Sequence, residues 1–543
     1  MQLQSKDIID LIILLIYFGG IVFLGLYVGR NNKSLEEYAL GGRNIPWWAV
    51  LASIIAAETS AATFLGTPAE GFKERGFIYG QLVIGTILAR VVIAYVFIKP
   101  YYDYKVQSVY EFLTVRFGTA TKNMASGIFL ISRVLGIGVR LYLGGVIFVV
   151  IWRYLFKTEP ELIHYFAGIL FVTVLTTIYT AVGGIRAVIY TDTIQAILMM
   201  GSALFAIFMI LHNIPGGLET VSEKLNGFKD VKFFQTGIKP DDITFAQKLR
   251  SILETPYTIF AAFIASTFYT MATHGTDQDM VQRMLTAKDH TQSRRSLILS
   301  GFADIPIVFM FLSIGILLYV YYGINPDPMM PKAANEIFAH YIVNSMPVAV
   351  RGLIIAGVFA TMMGSTSAAL NALATSFTKD FYLPYINPTA TEKQSIGAAR
   401  WATVVFGIMM VLVGTLAAYA VLENPNITII PLALGVLGYS YGAVLGVFLL
   451  GMLTKTRGND SFNIVAMVTG MLAVFFMGKV KLPFGFATLD FGMFMPTWFP
   501  AISWPWWILI GSAVTFGLGA LRPRDMKQAP FTPQEELERQ NNS

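Results

Sequence analysis

The stretch ASIIAAETSAATFLGTPAEG, residues 52–71, decides how this chain is read. It is apolar enough to lie in a membrane, yet Glu58 stands at its centre beside Thr59, Ser60 and Thr63, and Pro68 follows. A charged side chain at the bilayer centre costs about 2.5–3.5 kcal/mol on insertion scales. Irregular backbone at that depth survives only where protein or a water-filled cavity satisfies it. The stretch therefore predicts a transmembrane helix broken around a polar site. A second stretch, ASTFYTMATHGTDQDMVQR at residues 265–283, repeats the pattern, with Gly275 and Asp277 interrupting an apolar run.

Composition supports the membrane reading. Of the 543 residues 55% are hydrophobic and only 13% charged, against about 25% charged in soluble domains; the mean hydropathy is +0.60. The net charge of +6 then reads as a topology signal and not as a nucleic-acid footprint. With no cysteine, disulfides, thiolate nucleophiles and thiolate metal sites are excluded. The first thirty residues carry Asp7 and Asp10 ahead of a long apolar run, which does not read as a cleaved leader. No phosphate-cradling GxxxxGK[ST] loop and no HExxH spacing is present, so neither ATP-driven work nor zinc hydrolysis is expected.

Apolar runs of spanning length fall near 8–29, 45–72, 77–101, 123–155, 161–182, 185–213, 256–282, 294–323, 347–378, 397–422, 426–454, 461–479 and 500–521. The expected fold is an all-α integral membrane protein of about thirteen spans. Basic residues concentrate in the segments after spans one, seven and eleven and after the last, which places the N-terminus outside and the C-terminus in the cytoplasm. The segment VQSVYEFLTVRFG, residues 106–118, reads as an amphipathic interfacial helix. The two interrupted spans lie five apart, so they cross in opposite directions. That is the pointer to an inverted-repeat transporter with its site at the midplane. The expected organisation is an extra helix and loop (1–43), a first five-helix repeat (44–213), an external loop (214–255), a second repeat (256–455), two further spans (456–521) and a cytoplasmic tail (522–543).

IPWWAVLASIIAAETSAATFLGTPAEG, YTAVGGIRAVIYTDTIQ, HGTDQDMVQR and GLIIAGVFATMMGSTSAALNALATSFTKDFY together resemble the sodium/solute symporter family, over residues 8 to about 455. The resemblance implies a LeuT-like core of two five-helix repeats and symport of Na⁺ with a small polar organic solute: a sugar, a sugar acid such as sialic acid, or an organic carboxylate. The symporter is expected in the plasma (inner) membrane as a monomer, binding solute, sodium and lipid but no nucleic acid, and without enzyme activity. The alternative weighed is a solute sensor built on the transporter fold and signalling through a partner.

By motif position the resemblance puts one Na⁺ on the carbonyls of Ala56 and Thr59, the Thr361 carbonyl and the Ser365 hydroxyl. Thr361, Gly364 and Ser365 share one helix face at i, i+3 and i+4. Gly364 departs from the family, which commonly has a hydroxyl there. Asp192 and Ser367 match members of a second sodium site whose third hydroxyl is here Ala368, so the cofactor expectation is one Na⁺ or two. Substrate-wall positions match at Glu58, Ser60, Thr63, Phe77, Gln81, Arg133 and Thr270. The galactose-binding pattern is not reproduced, since Thr273 and Asp304 replace its tyrosine and lysine. Arg133 and Arg140 are seven residues apart, hence within roughly 20° of one helix face, and two lipid-facing arginines are too costly. The expectation is that Glu58 pairs with Arg140 and leaves Arg133 for a substrate oxygen.

Overall fold

The computed structural model describes residues 5–30, 32–60, 62–156, 158–424, 429–484 and 487–524. The expected tail lies almost wholly outside them. Ten helices among these residues are long and apolar enough to span, and the pair Trp47–Glu58 and Ala62–Glu74 forms an eleventh span bent by 59°. The expected thirteen differ from this only in how helices are divided. The 52-residue helix Leu162–Asn213 holds two of them, separated at Gly184, whose φ of 61° and ψ of −163° are not helical. Only glycine fits there, because a Cβ would stand 2.6 Å from the Tyr38 carbonyl oxygen. The remaining span is the second interrupted one, built from Ser266–Gly275 and Gln278–Leu285, with a π-helical turn over Ala261–Ala265 in front.

The Val350–Phe377 helix forms the centre of the bundle. Its spanning window is 94% buried, and its run of Gly, Ala, Ser and Thr lets neighbouring backbones approach closely, as lipid-solvated helices require. The first helix, Ser5–Gly29, is clamped to this frame at both ends. Asp10 Oδ1 accepts from the Ala349 and Gly352 N–H groups (2.8 and 3.1 Å), filling the N-terminal cap of the central helix, and Oδ2 meets Arg351 Nε at 2.6 Å. At the other end a Cβ on Gly29 would lie 2.0 Å from Gly183 Cα, so the two backbones touch.

Three features go beyond the expectation. Glu111–Arg116 is helical and packs on protein through its apolar face: Phe112 stacks on Phe448 with centroids 5.8 Å apart, Leu113 is wholly buried, and Arg116 Nε donates to Gly451 O at 2.8 Å. Residues before the central helix, to which no element was assigned, contain the buried helix Ala334–Ser345. Ahead of the last span, Lys481–Phe484 and Ala487–Asp490 form an antiparallel strand pair.

Candidate functional site

Both helix breaks free polar groups, each by a traceable change of hydrogen bonding. In the first, the Ser60 N–H donates to Glu58 O (3.0 Å) instead of reaching Ala56 O, and the Thr63 N–H donates to Ser60 O (2.8 Å) instead of Thr59 O. The Ala56 and Thr59 carbonyls therefore lose the i+4 donors a continuous helix would supply. In the second break, Asp277 caps Gln278–Leu285 by accepting from the Asp279 N–H at 2.8 Å. Its other oxygen accepts from Arg133 (3.1 Å) and from the Tyr441 hydroxyl (2.8 Å).

The freed Ala56 carbonyl faces the central helix. A Cβ on Gly364 would lie 3.5 Å from Ala56 O, 3.0 Å from Gln195 Oε1 and 3.6 Å from Asp192 Oδ1, so the missing side chain is what lets these oxygens converge. Among the described residues, Asp192 Oδ1 and Gln195 Oε1 are buried and have no hydrogen-bond donor. Ser365 Oγ donates along its own helix to Thr361 O at 3.0 Å, which leaves its lone pairs open. This is a set of hard oxygens, the donor chemistry an alkali cation takes, with the one nearby positive group, Arg283, engaged by the other Asp192 oxygen.

Beside it lies a cavity of about 210 Å³, bordered by both breaks. Glu58 projects from the first break, and one of its oxygens accepts from both Arg90 and His274. Arg90, 1% exposed, also meets Asp304 at 2.8 Å. Thr63, Thr270 and Thr273 add hydroxyls to the wall. Beneath runs a second ionic chain: Arg133 contacts both Asp277 and Asp279, and Arg283 contacts Asp279 and Asp192, the latter at 3.1 Å. Ser53 Oγ closes it by donating to Asp192 Oδ2 at 2.6 Å. The breaks, the cavity and the cation-like oxygen set are thus joined by buried charge.

A sequence model described as "SSF: Sodium:solute symporter family" matches residues 38–470. The chain belongs to this family. The symporter is 30% identical to the sodium/sialic acid symporter NanT of Aliivibrio fischeri, over 87% of this chain and 88% of that protein. It is 28% identical to the sodium/sialic acid symporter SiaT of Proteus mirabilis, over 87% and 90%. A solved structure described as the substrate-bound outward-open state of a Na⁺-coupled sialic acid symporter covers 94% of this chain and 97% of its own at 24% identity, with a TM-score of 0.76. That likeness shows the fold, the LeuT-like core that the resemblance implied and whose inverted repeat the paired breaks pointed to. The symporter is accordingly a multi-pass membrane transporter coupled to Na⁺.

Within the symporter the expected wall residues separate. Glu58, Thr63, Arg133 and Thr270 border the main cavity, while Ser60 borders a smaller pocket of about 140 Å³ beside it. Phe77 and Gln81 border neither. They tether the long loop: the Phe77 N–H donates to Lys232 O at 2.7 Å, its ring stacks on Phe233, and Gln81 Nε2 donates to Tyr257 O at 2.7 Å. The expected Glu58–Arg140 pair does not form, because Arg90 and His274 reach Glu58 first. Arg133, expected to be free, is held by two aspartates. No described bond joins Asp192 to Ser367, whose hydroxyl donates to Gly364 O at 3.0 Å. Arg90, His274, Asp279, Arg283 and Gln195 escaped the sequence reading. Arg90 carried a usable signal, a lone arginine inside TILARVVIAYV.

Proposed function

We propose that this symporter imports a small hydroxylated organic solute, with sialic acid as the first candidate, in company with one Na⁺ or two. The observation that carries the reading is the convergence of both helix breaks on one hydroxyl-lined cavity beside the freed Ala56 and Thr59 carbonyls. Na⁺ sits on those carbonyls, the Thr361 carbonyl and Ser365 Oγ, and ties the first broken helix to the central one. Asp192 supplies negative charge behind it. Na⁺ binding favours the conformation in which the cavity wall is ordered, so solute binds more tightly, and by reciprocity solute tightens Na⁺. Both then leave on the side where Na⁺ is scarce. The protein acts as a carrier and not an enzyme, lies in the plasma membrane as a monomer in contact with lipid, and has its N-terminus outside and its C-terminus in the cytoplasm. The six-part organisation given above is its domain plan.

Labelled N-acetylneuraminate uptake into proteoliposomes tests this. An inward Na⁺ gradient should drive accumulation, and an equal K⁺ gradient should not. A sensor would bind solute without accumulating it.

Sodium coordination has its own test. Ser365→Ala is expected to weaken Na⁺ binding about tenfold, the loss of one oxygen to a charged partner, with the fold retained. Gly364→Ala adds a Cβ 3.0 Å from Gln195 Oε1 and no oxygen, so it should lower Na⁺ affinity. Gly364→Ser adds the oxygen as well and should bind Na⁺ more tightly than Gly364→Ala. Sodium titrations followed by melting temperature check all three, and unchanged sodium dependence in Ser365→Ala would reject the assignment.

A further inference from the structure

The long loop between the two repeats ends in an amphipathic helix, Phe245–Glu254, that borders neither pocket of the transport site. A capping box opens it: Thr244 Oγ1 accepts from the Gln247 N–H at 3.2 Å, and the Gln247 side chain accepts from the Thr244 N–H at 2.9 Å. At about 100° per residue, Phe245, Leu249, Ile252 and Leu253 share one stripe, with Arg250 and Glu254 towards the far side and paired at 2.9 Å. The stripe is apolar from end to end, but only one end of it is covered. Ile252 and Leu253 pack on the cluster of Ala261, Ala265, Ile502 and Trp506, and Leu253 O accepts from the Ser503 N–H and hydroxyl at 2.9 and 2.8 Å. Phe245 is 80% exposed, Leu249 44%, and Ile243 just ahead of the helix 85%.

The covered end tells which way the stripe faces. Ala261 and Ala265 belong to the π-helical turn in front of the second interrupted span, and Ile502 and Trp506 stand at the start of the last span. In the same π-helical turn Phe263 and Ile264 are exposed on the outside of the bundle, where lipid is the solvent. The stripe therefore begins among residues that enter the membrane and runs on, without a polar interruption, to Leu249 and Phe245.

We propose that Phe245–Glu254 lies in the plane of the membrane interface, with Phe245 and Leu249 inserted among the phospholipid acyl chains of the leaflet in which the last span begins. A helix with a strong apolar stripe, a charged back and little overall hydrophobicity is built for that position and not for crossing. Lys248, at the edge of the stripe, lays its stem along apolar surface and carries its ammonium to the headgroups, while Arg250 and Glu254 face water. Lys248, Arg250 and Glu254 give the helix no strong charge of one sign, so its partner is the leaflet itself and not one class of headgroup. The contact bears on the transport site through the chain. Residues 255–260 alone separate the helix from the π-helical turn, which runs on into Ser266–Gly275, the half-helix that brings Thr270 and His274 to the cavity. Lipid thus steadies that half-helix at the end farthest from its break. The inference needs the membrane fold only, and stands whichever solute is carried.

The chain has no cysteine, so single cysteines can be spin-labelled without background. Phe245→Cys, Leu249→Cys, Arg250→Cys and Phe263→Cys each replace an exposed side chain and should keep the wild-type melting temperature. The full-length proteins are labelled and placed one per nanodisc in phosphatidylcholine with phosphatidylglycerol. Spin relaxation by O₂, which gathers among acyl chains, is then compared with relaxation by a water-soluble nickel chelate. At 245 and 249 collision with O₂ should exceed collision with nickel several-fold, as at the lipid-facing position 263, and at 250 the order should reverse. Nickel-dominated collision at either 245 or 249 would leave the stripe in water and overturn the proposal. Slow collision with both reagents there would place the stripe against protein, folded over the loop or the cavity mouth, and would overturn it equally. So would O₂-dominated collision at 250, which would sink the whole helix into hydrocarbon. Nickel-dominated collision at 263 would overturn the span in front of the second break along with the proposal.

Discussion

Arg90→Gln is expected to abolish uptake and to lower the yield of folded protein more than any other single change in the site. The arginine is 1% exposed and holds Glu58 and Asp304 together. Removing it leaves two carboxylates facing each other in a low-dielectric interior, and breaking a buried pair in this way costs about 3–5 kcal/mol. Because Glu58 sits at the first helix break and His274 at the second, the loss also unfastens the two broken helices from each other. The double change Glu58→Gln with Arg90→Gln removes one positive and one negative charge together and should recover part of the melting temperature. Glu58→Gln with Arg140→Gln should not, since those two side chains do not pair. Size-exclusion profiles and melting temperatures of the four proteins settle the matter, and equal recovery by both doubles would refute the assignment of partners.

The second large effect is expected at Arg283. Its side chain is fully buried and reaches Asp192, Asp279 and the Ser53 hydroxyl, while Nη1 also donates to the Asp279 carbonyl at 2.9 Å. Arg283→Gln should reduce Na⁺-driven uptake to background and raise the Na⁺ concentration needed for half-maximal stabilisation, because Asp192 loses the partner that positions it beside the Ala56 carbonyl. Arg283→Lys should rescue little, since a point charge cannot serve three separated acceptors as a guanidinium does. If the lysine variant transports normally, the network is a source of charge only and its geometry is irrelevant.

How far the site was legible follows from what kind of information each part needs. The broken helices could be read because a carboxylate in an apolar run is a local anomaly, visible at Glu58 and Asp277 without any partner in view. The glycine at 364 was equally local, and the structure adds only what its missing side chain admits. Partner choice was not legible. Pairing Glu58 with Arg140 was a sound electrostatic guess, but it compared two arginines of one helix and passed over Arg90 on the span before. Which of three arginines reaches a carboxylate depends on how helices far apart in sequence are rotated against one another. Periodicity within one helix does not carry that. That Phe77 and Gln81 hold the long loop was not legible for a related reason: the loop has no hydrophobic pattern announcing where it docks.

The cap that Asp10 provides for the central helix has a consequence for how the protein is made. Asp10 and Arg351 are 341 residues apart in the chain, so at about 5–20 residues per second the ribosome works for about 20–70 s after Asp10 before its partner exists. During that interval Asp10 is without its partners in the fold, because the Ala349 and Gly352 N–H groups it will cap and the Arg351 side chain are still untranslated. Insertion and packing are therefore out of step: the Ser5–Gly29 helix can take its final place only after the central helix has followed it, and a nascent chain stalled before residue 351 would hold that helix undocked.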